Sequence, residues 1–208
     1  MDVQQAYNLW AAQYDTNMNR TRDLEGLAMR SVLADLAFSS CLEIGCGTGK
    51  NTKWLAGQAQ KITAVDFAAE MLDRARAKIT DPRVSFVQAD ITQNWTFCQS
   101  TYDLVTFSLV LEHIEKLEPV FAAAARCLNK GGFVYVGELH PYKQYNGSKA
   151  RFDTEAGTQE LTCFTHHISD FVQAAQKCGL ALAGLNEFFD EDYANGIPRI
   201  LTLLLKKG

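Results

Sequence analysis

The stretch Leu42-Glu43-Ile44-Gly45-Cys46-Gly47-Thr48-Gly49-Lys50-Asn51-Thr52 limits what this chain can fold into more than any other part of it. Cys41 to Ile44 reads as an apolar strand, and a helix is expected from Thr48 to a cap at Gly57. Glycine has no Cβ, so three in alternation let the backbone turn tightly and touch a ligand. A loop of this kind between strand and helix cradles nucleotide-like ligands at the helix N-terminus. A dinucleotide loop has the form G-x-G-x-x-G, with its third glycine where helix packs on strand. Here the spacing is G-x-G-x-G, and Lys50 occupies that third position. Glu43 stands two residues ahead of the first glycine. A carboxylate there repels a pyrophosphate and attracts a ligand carrying an ammonium and a sulfonium. These residues favour S-adenosylmethionine over NAD.

In the form Glu43-x-Gly45-x-Gly47-x-Gly49, the loop resembles the first motif of the class I S-adenosylmethionine-dependent methyltransferases. The resemblance implies an α/β fold: one Rossmann-like domain over 1–208, with a seven-stranded, mostly parallel sheet. Helices would cover both faces, and an antiparallel hairpin would complete the sheet at its C-terminal end. It implies S-adenosyl-L-methionine as cofactor, S-adenosyl-L-homocysteine as product, and Glu43, Gly45, Cys46, Gly47 and Gly49 around the cofactor.

The next strands carry further acidic residues. Lys61 to Val65 ends in Asp66-Phe67. An acidic residue at the tip of the second strand is placed to accept both ribose hydroxyls. Aspartate is also favoured as an N-cap, here for a helix from Ala68 to Ile79, but the loop puts ribose binding ahead. Phe67 and Met71 would line the adenosine pocket. After a third strand, Val84 to Val87, comes Asp90-Ile91. An aspartate there is by itself a turn residue. The resemblance implies that Asp90 accepts from the adenine amino group and that the Ile91 amide meets the ring. Tyr102 to Phe107 reads as the fourth strand, and ligands of open parallel sheets sit beyond the carboxyl ends of strands. Ser108 and Leu109 would therefore touch the methionyl part. Glu112 and His113 either reach the substrate or steady the helix that follows. There is no Asp/Asn-Pro-Pro-aromatic turn at this place and no Pro-Cys pair, which excludes two base-methylating chemistries of DNA.

Ahead of the loop, Val3, Ala6, Tyr7, Trp10, Ala11 and Tyr14 recur at helical spacing, and a second helix carries Leu24, Leu27, Ala28, Val32 and Leu36. Residues 1–38 are expected as a helical cover. Tyr14-Asp15 matches a Tyr-Asp pair common in the family it resembles, which would make Tyr14 a lid on the cofactor. Plain cover is an equal alternative for Tyr14, and plain surface is the expectation for Asn19 and Arg22. A helix from Phe121 to Leu128, the turn Asn129-Lys130-Gly131-Gly132 and a strand from Phe133 to Gly137 lead to Glu138-Leu139-His140-Pro141-Tyr142. Histidine suits proton transfer near neutral pH, and His140 follows the fifth strand, so it is the candidate base. Residues 139–166 show little periodicity and several aromatics, the mark of a functional insertion. They are the expected substrate lid, with His113, Tyr142, Tyr145, Arg151 and His166 as substrate contacts. No carboxylate spacing accompanies His140, His166 and His167, so no metal is expected. Ser169 should cap a helix running to Cys178, before strands at Leu180 to Phe188 and Arg199 to Leu205.

A chain of 208 residues can bury a core as one domain. A net charge of −4 argues against nucleic acid as a partner. Six cysteines without a C-x-x-C pair suit free thiols in a reducing cytoplasm. No apolar stretch has membrane-spanning length. The expected protein is cytoplasmic, a monomer or homodimer, and moves a methyl group to an oxygen or nitrogen of a small molecule. Two alternatives stand beside this reading: an NAD-dependent oxidoreductase, and a non-catalytic methyltransferase-like binding subunit.

Overall fold

The computed structural model describes residues 3–154, 157–190 and 196–208, leaving out the side chains of residues 151–154, 158 and 159. Helices α1 (Val3–Trp10) and α2 (Arg20–Leu33) precede strand β1 (Ser40–Ile44). Then follow α3 (Lys50–Leu55), β2 (Lys61–Asp66), α4 (Ala69–Lys78), β3 (Val84–Gln88) and β4 (Tyr102–Ser108). A short 3-10 turn at Leu111–His113 leads to α5 (Leu117–Cys127), β5 (Leu128–Leu139) and α6 (Pro141–Tyr145). Strands β6 (Arg151–Thr154) and β7 (Gly157–Glu160) form a separate hairpin. Helix α7 (Ile168–Lys177) and strands β8 (Leu180–Phe189) and β9 (Pro198–Lys207) close the chain. The main sheet has seven strands in the order β3-β2-β1-β4-β5-β9-β8. All pairs from β3 to β5 are parallel, and β9 runs against both β5 and β8. The order reverses between β1 and β4, so the crevice of this sheet lies where the glycine loop leaves β1.

Side chains alternate across a strand, and the core divides accordingly. Leu42, Ile44, Val105, Phe107, Val134 and Val136 face one side, packed by Val120, Phe121 and Ala124 of α5 and Phe171 of α7. Cys41, Ile62, Ala64, Leu104 and Tyr135 face the other, under Met29 and Leu33 of α2 and Leu55 of α3. Near-continuous apolar strands are what a parallel sheet covered on both faces requires.

Several expectations are corrected. Helix α5 starts at Leu117 rather than Phe121, because Pro119 falls in the first turn, where its missing N–H costs nothing. The expected Asn129–Gly132 turn is absorbed into β5 as a register break, with Gly131 at φ 77°. Helix α7 is capped by His167, not Ser169: Asp170 Oδ2 accepts the His167 N–H at 2.8 Å, which starts the helix earlier. The segment after β5 is less irregular than its sequence suggests, since it holds α6 and the β6–β7 hairpin. Cys98 and Cys127 form a disulfide with Cα atoms 6.2 Å apart, against the expectation of free thiols, while Cys41, Cys46, Cys163 and Cys178 are free. Among the described residues no helix is long and apolar enough to cross a membrane.

Phe121 is fully buried and meets Phe107 edge-on at 6.2 Å, so it joins α5 to the middle of the sheet. Phe121→Ala is expected to lower unfolding free energy by about 3–5 kcal/mol. Urea denaturation measures it, and a loss under about 1 kcal/mol would mean that α5 does not anchor this face.

Candidate active site

The loop after β1 is built by three left-handed glycines: Gly45, Gly47 and Gly49 have φ of 71°, 53° and 83°. A Cβ on Gly45 would stand 2.2 Å from Val110 Cγ2, and one on Gly49 would stand 2.8 Å from Ile79 Cδ1. Those two glycines are therefore needed for packing as well as for φ. A Cβ on Gly47 would meet nothing within 4 Å, because that residue borders open space. Asp66, at the tip of β2, accepts the Gly47 N–H at 2.8 Å through Oδ2 and the Ala68 N–H at 2.9 Å through Oδ1. The carboxylate thus ties the loop of one strand to the end of its neighbour. Burial pushes its pKa up, and the bonds from Ala68 and Gly47 pull the other way.

Above the loop lies a cavity of about 250 Å³. It is lined by Ile44, Gly45 and Gly47, by Asp66, Phe67 and Met71, by Ala89, Asp90, Ile91 and Thr92, and by Ser108, Leu109 and Val110. Val3, Tyr7, Tyr14, His113 and Ile114 complete it. Asp90 Oδ1 also accepts the Thr92 N–H and hydroxyl at 2.8 and 2.7 Å, so it shapes its own turn while bordering the cavity. Leu109 has φ 57°, the one non-glycine value above zero among the described residues, and its N–H reaches the Gly137 carbonyl at 2.8 Å. Strain held by a neighbouring strand is characteristic of functional sites.

Tyr14 covers one side of this cavity, and the structure explains how it is held. Asp15 takes the Thr48 hydroxyl at 2.6 Å and Lys78 Nζ at 2.7 Å, clipping the segment to the glycine loop and to α4. Desolvation pushes the Asp15 pKa up, but the hydrogen bonds from Lys78 and Thr48 outweigh it and leave it low. Asn19 is the N-cap of α2, and Arg22 donates to the carbonyls of Tyr14 and Asn17 with its guanidinium 5.4 Å from the Tyr14 ring. Neither is plain surface.

Glu43 does not line the cavity. It is buried behind the loop, where Oε2 accepts the Thr52 hydroxyl at 2.6 Å. Burial raises its pKa to about 8, against the pull of that hydroxyl. Cys46 and Gly49 likewise lie outside the lining and serve the turn itself. Glu138 Oε1 accepts the N–H groups of Val110 and Leu111 at 2.9 and 2.8 Å, fixing the loop after β4. Burial pushes it up to about 8 as well.

A second, more polar compartment of about 430 Å³ shares Tyr7, Tyr14 and Leu109 with the first. Glu112, Asn19, Thr21, Ser148, Lys149 and Arg199 are among its walls. Arg199 is paired to Asp190 through two contacts of 2.6 Å, and its Nη1 donates to Thr21. His140 enters neither space. Its Nδ1 accepts the Tyr142 N–H at 3.1 Å and its Nε2 lies 2.9 Å from Glu187 Oε1, so both ring nitrogens serve α6 and β8. The structure offers no free nitrogen there for a base. His166 is bonded to the Ile114 carbonyl and packs on Phe171, away from both compartments. Tyr142 and Tyr145 are exposed, and Tyr145 meets His167. The side chain of Arg151 is outside the described residues. Of the expected substrate contacts, His113 alone borders the first cavity, with Nε2 3.0 Å from Tyr7 Oη and Nδ1 3.0 Å from the Thr162 carbonyl. Tyr7 itself was missed, although its place on the aromatic face of α1 is the signal that marks it.

The family profile of the methyltransferase domain matches residues 42–136. An uncharacterized methyltransferase of Emericella nidulans is 25% identical over 224 residues, covering 88% of this chain and 77% of the relative. A ubiquinone biosynthesis O-methyltransferase of Xanthomonas oryzae is 30% identical over 157 residues, covering 70% of this chain and 62% of the relative. Among solved structures, the N-methyltransferase NodS of Bradyrhizobium japonicum with S-adenosyl-L-homocysteine superposes with a TM-score of 0.75 at 17% identity, covering 100% of this chain and 99% of that one. At that identity the likeness establishes the fold alone.

Glu43 and Glu138 hold a proton in the folded chain between the ordinary value of 4.5 and about 8, where the unfolded chain does not. The unfolding free energy of the ligand-free protein therefore falls as pH rises through that window. Urea unfolding from about pH 5 to about pH 8 should show the fall, and Glu43→Gln with Glu138→Gln should flatten it. An unchanged slope in the double variant would contradict the burial argument.

Proposed function

We propose that this chain, which belongs to the class I S-adenosylmethionine-dependent methyltransferases, moves a methyl group to an oxygen or nitrogen of a small molecule. The observation that carries the reading is the pair of neighbouring compartments at the carboxyl ends of β1 to β4: a largely apolar cavity above the glycine loop, and a polar one beside it. S-adenosylmethionine fits the first. Gly47 leaves space where a side chain would intrude, and Asp66 is fixed by two N–H groups while its carboxylate borders the cavity. Asp66 would accept from the ribose hydroxyls, with Asp90 and Ile91 at the adenine edge and Phe67 and Met71 against its faces. Ser108 and Leu109 would meet the methionyl end. When bound, S-adenosylmethionine supplies a strongly electrophilic methyl carbon, open to in-line displacement.

The chain's own residues then position and exclude water. Tyr14, tied down by Asp15 and Arg22, closes the cavity. Glu43 and Glu138 carry no contact with the cavity but place ionisable carboxyl groups beneath it, and a cation above draws their charged forms. Positioning of nucleophile, methyl and sulfur is worth up to roughly 7–11 kcal/mol. The acceptor side belongs to the polar compartment, where Tyr7 and Leu109 form the shared wall. The name of the 30%-identical relative, an O-methyltransferase, supports oxygen as the acceptor atom.

Calorimetry with S-adenosyl-L-homocysteine tests this reading. Replacing Asp66 with Asn keeps the side-chain shape and removes two charge-assisted contacts, for a loss of about 3 kcal/mol or roughly 100-fold in Kd. A variant that is folded by circular dichroism and binds like the wild type would contradict the placement, as would tighter binding of NADH than of S-adenosyl-L-homocysteine.

A further inference from the structure

Glu112, His113 and Cys163 come together where the two compartments meet. Their donor atoms all lie within 4.8 Å of one another, and Cys163 Sγ is 4.0 Å from His113 Nδ1. Glu112 borders the polar compartment and His113 the cavity above the glycine loop. A second observation points to a ligand. Glu112 is only 7% exposed, and its Oε2 is buried with no hydrogen-bond partner among the described residues. The Cys163 and Gln144 side chains hydrogen-bond the Glu112 carboxyl group, which leaves Oε2 as its unpaired oxygen; a proton or a cation relieves that cost.

We infer that Glu112, His113 and Cys163 form a binding site for a divalent, thiophilic cation of the zinc class. The donor set matches: one carboxylate, one imidazole and one thiolate are ligands that zinc takes, and two negative charges with a neutral ring balance the ion. Zinc bond lengths of about 2.0–2.3 Å place oxygen, nitrogen and sulfur ligands roughly 3.3–3.5 Å apart, so the most separated donors must close by up to about 1.5 Å. Cys163 lies in the irregular stretch between β7 and α7, which is tied to the same residues: the Phe164 N–H donates to the Glu112 carbonyl at 2.7 Å, and the Thr162 carbonyl meets His113 Nδ1 at 3.0 Å. On loading, the thiol releases its proton to solvent and Nδ1 becomes the metal-binding nitrogen. The proton that Nδ1 now presents to the Thr162 carbonyl passes through solvent to Nε2, which then donates a hydrogen bond to Tyr7 Oη 3.0 Å away. The Thr162 carbonyl turns aside to admit the ion. A ligating histidine held by its other nitrogen is the usual arrangement. Three protein ligands leave a coordination position open, so the ion would bind and acidify an acceptor oxygen beside the methyl group. That role rests on the methyltransferase reading. The binding site does not.

The test uses the full chain freed of metal with a chelator and titrated with zinc by calorimetry, and with cobalt by absorption. One ion per chain and a thiolate-to-cobalt charge-transfer band are expected. Loss of an outer-shell partner already costs 10–100-fold, so Cys163→Ser and His113→Ala should each weaken zinc by roughly 100-fold or more. Cys178→Ser, at a distant free thiol, should leave it unchanged. Binding that survives in Cys163→Ser, or no stoichiometric zinc binding, overturns the site. If Cys163→Ser does not fold, a wild-type cobalt complex without the thiolate band overturns it equally. Affinity for S-adenosyl-L-homocysteine, measured on the same samples, separates failure of this site from failure of the methyltransferase reading.

Discussion

The carboxylate of Asp66 accepts two backbone N–H groups that belong to different elements: Gly47 in the loop after β1, and Ala68 at the start of α4. That shared acceptor joins two parallel strands beyond the point where their own ladder ends. It works only because β1 and β2 are in a register that sets Ile44 beside Val65, and because Gly45, Gly47 and Gly49 take left-handed φ values. The cavity follows from this. Its floor is the turned loop, its edge is the carboxylate, and the topological reversal between β1 and β4 leaves room above both.

A set of buried acids supports the loops from beneath. Glu43 holds Thr52 in the helix after the glycine loop, and Glu138 holds the backbone after β4. Glu25 reaches from α2 to accept from Asn51 and Tyr135. Each is pushed toward its neutral form by burial. A positive charge within a few ångströms would favour their charged forms, against burial. The acids therefore serve the fold by holding these loops.

Local signals in the sequence were enough for the sheet and for the strand-end residues that line the cavity, but not for Tyr7. The glycine loop, Asp66, Asp90 and Ile91 each follow a strand whose apolar run marks it, and the strand order fixes where they meet. Residues joined only by long-range packing were not legible. Cys163 approaches His113 across 50 positions, and the pairing depends on a hairpin and loop with no clear periodicity. His140 looked free because Glu187, which takes its Nε2, lies 47 residues away on β8. The Cys98–Cys127 bond spans 29 residues without a spacing motif. Ser169 gave way to His167 as a cap because a favoured residue type yields to the geometry of Asp170.

The central claim is that one adenosyl ligand occupies the space bounded by Gly47, Asp66, Asp90 and Leu109. A crystal structure of the protein with S-adenosyl-L-homocysteine measures this most directly. The account predicts ribose hydroxyls within hydrogen-bond distance of Asp66, the adenine beside Asp90 and Ile91, and the sulfur facing the wall shared with the polar compartment. Ligand density in any other cavity, or a ribose turned away from Asp66, would contradict it.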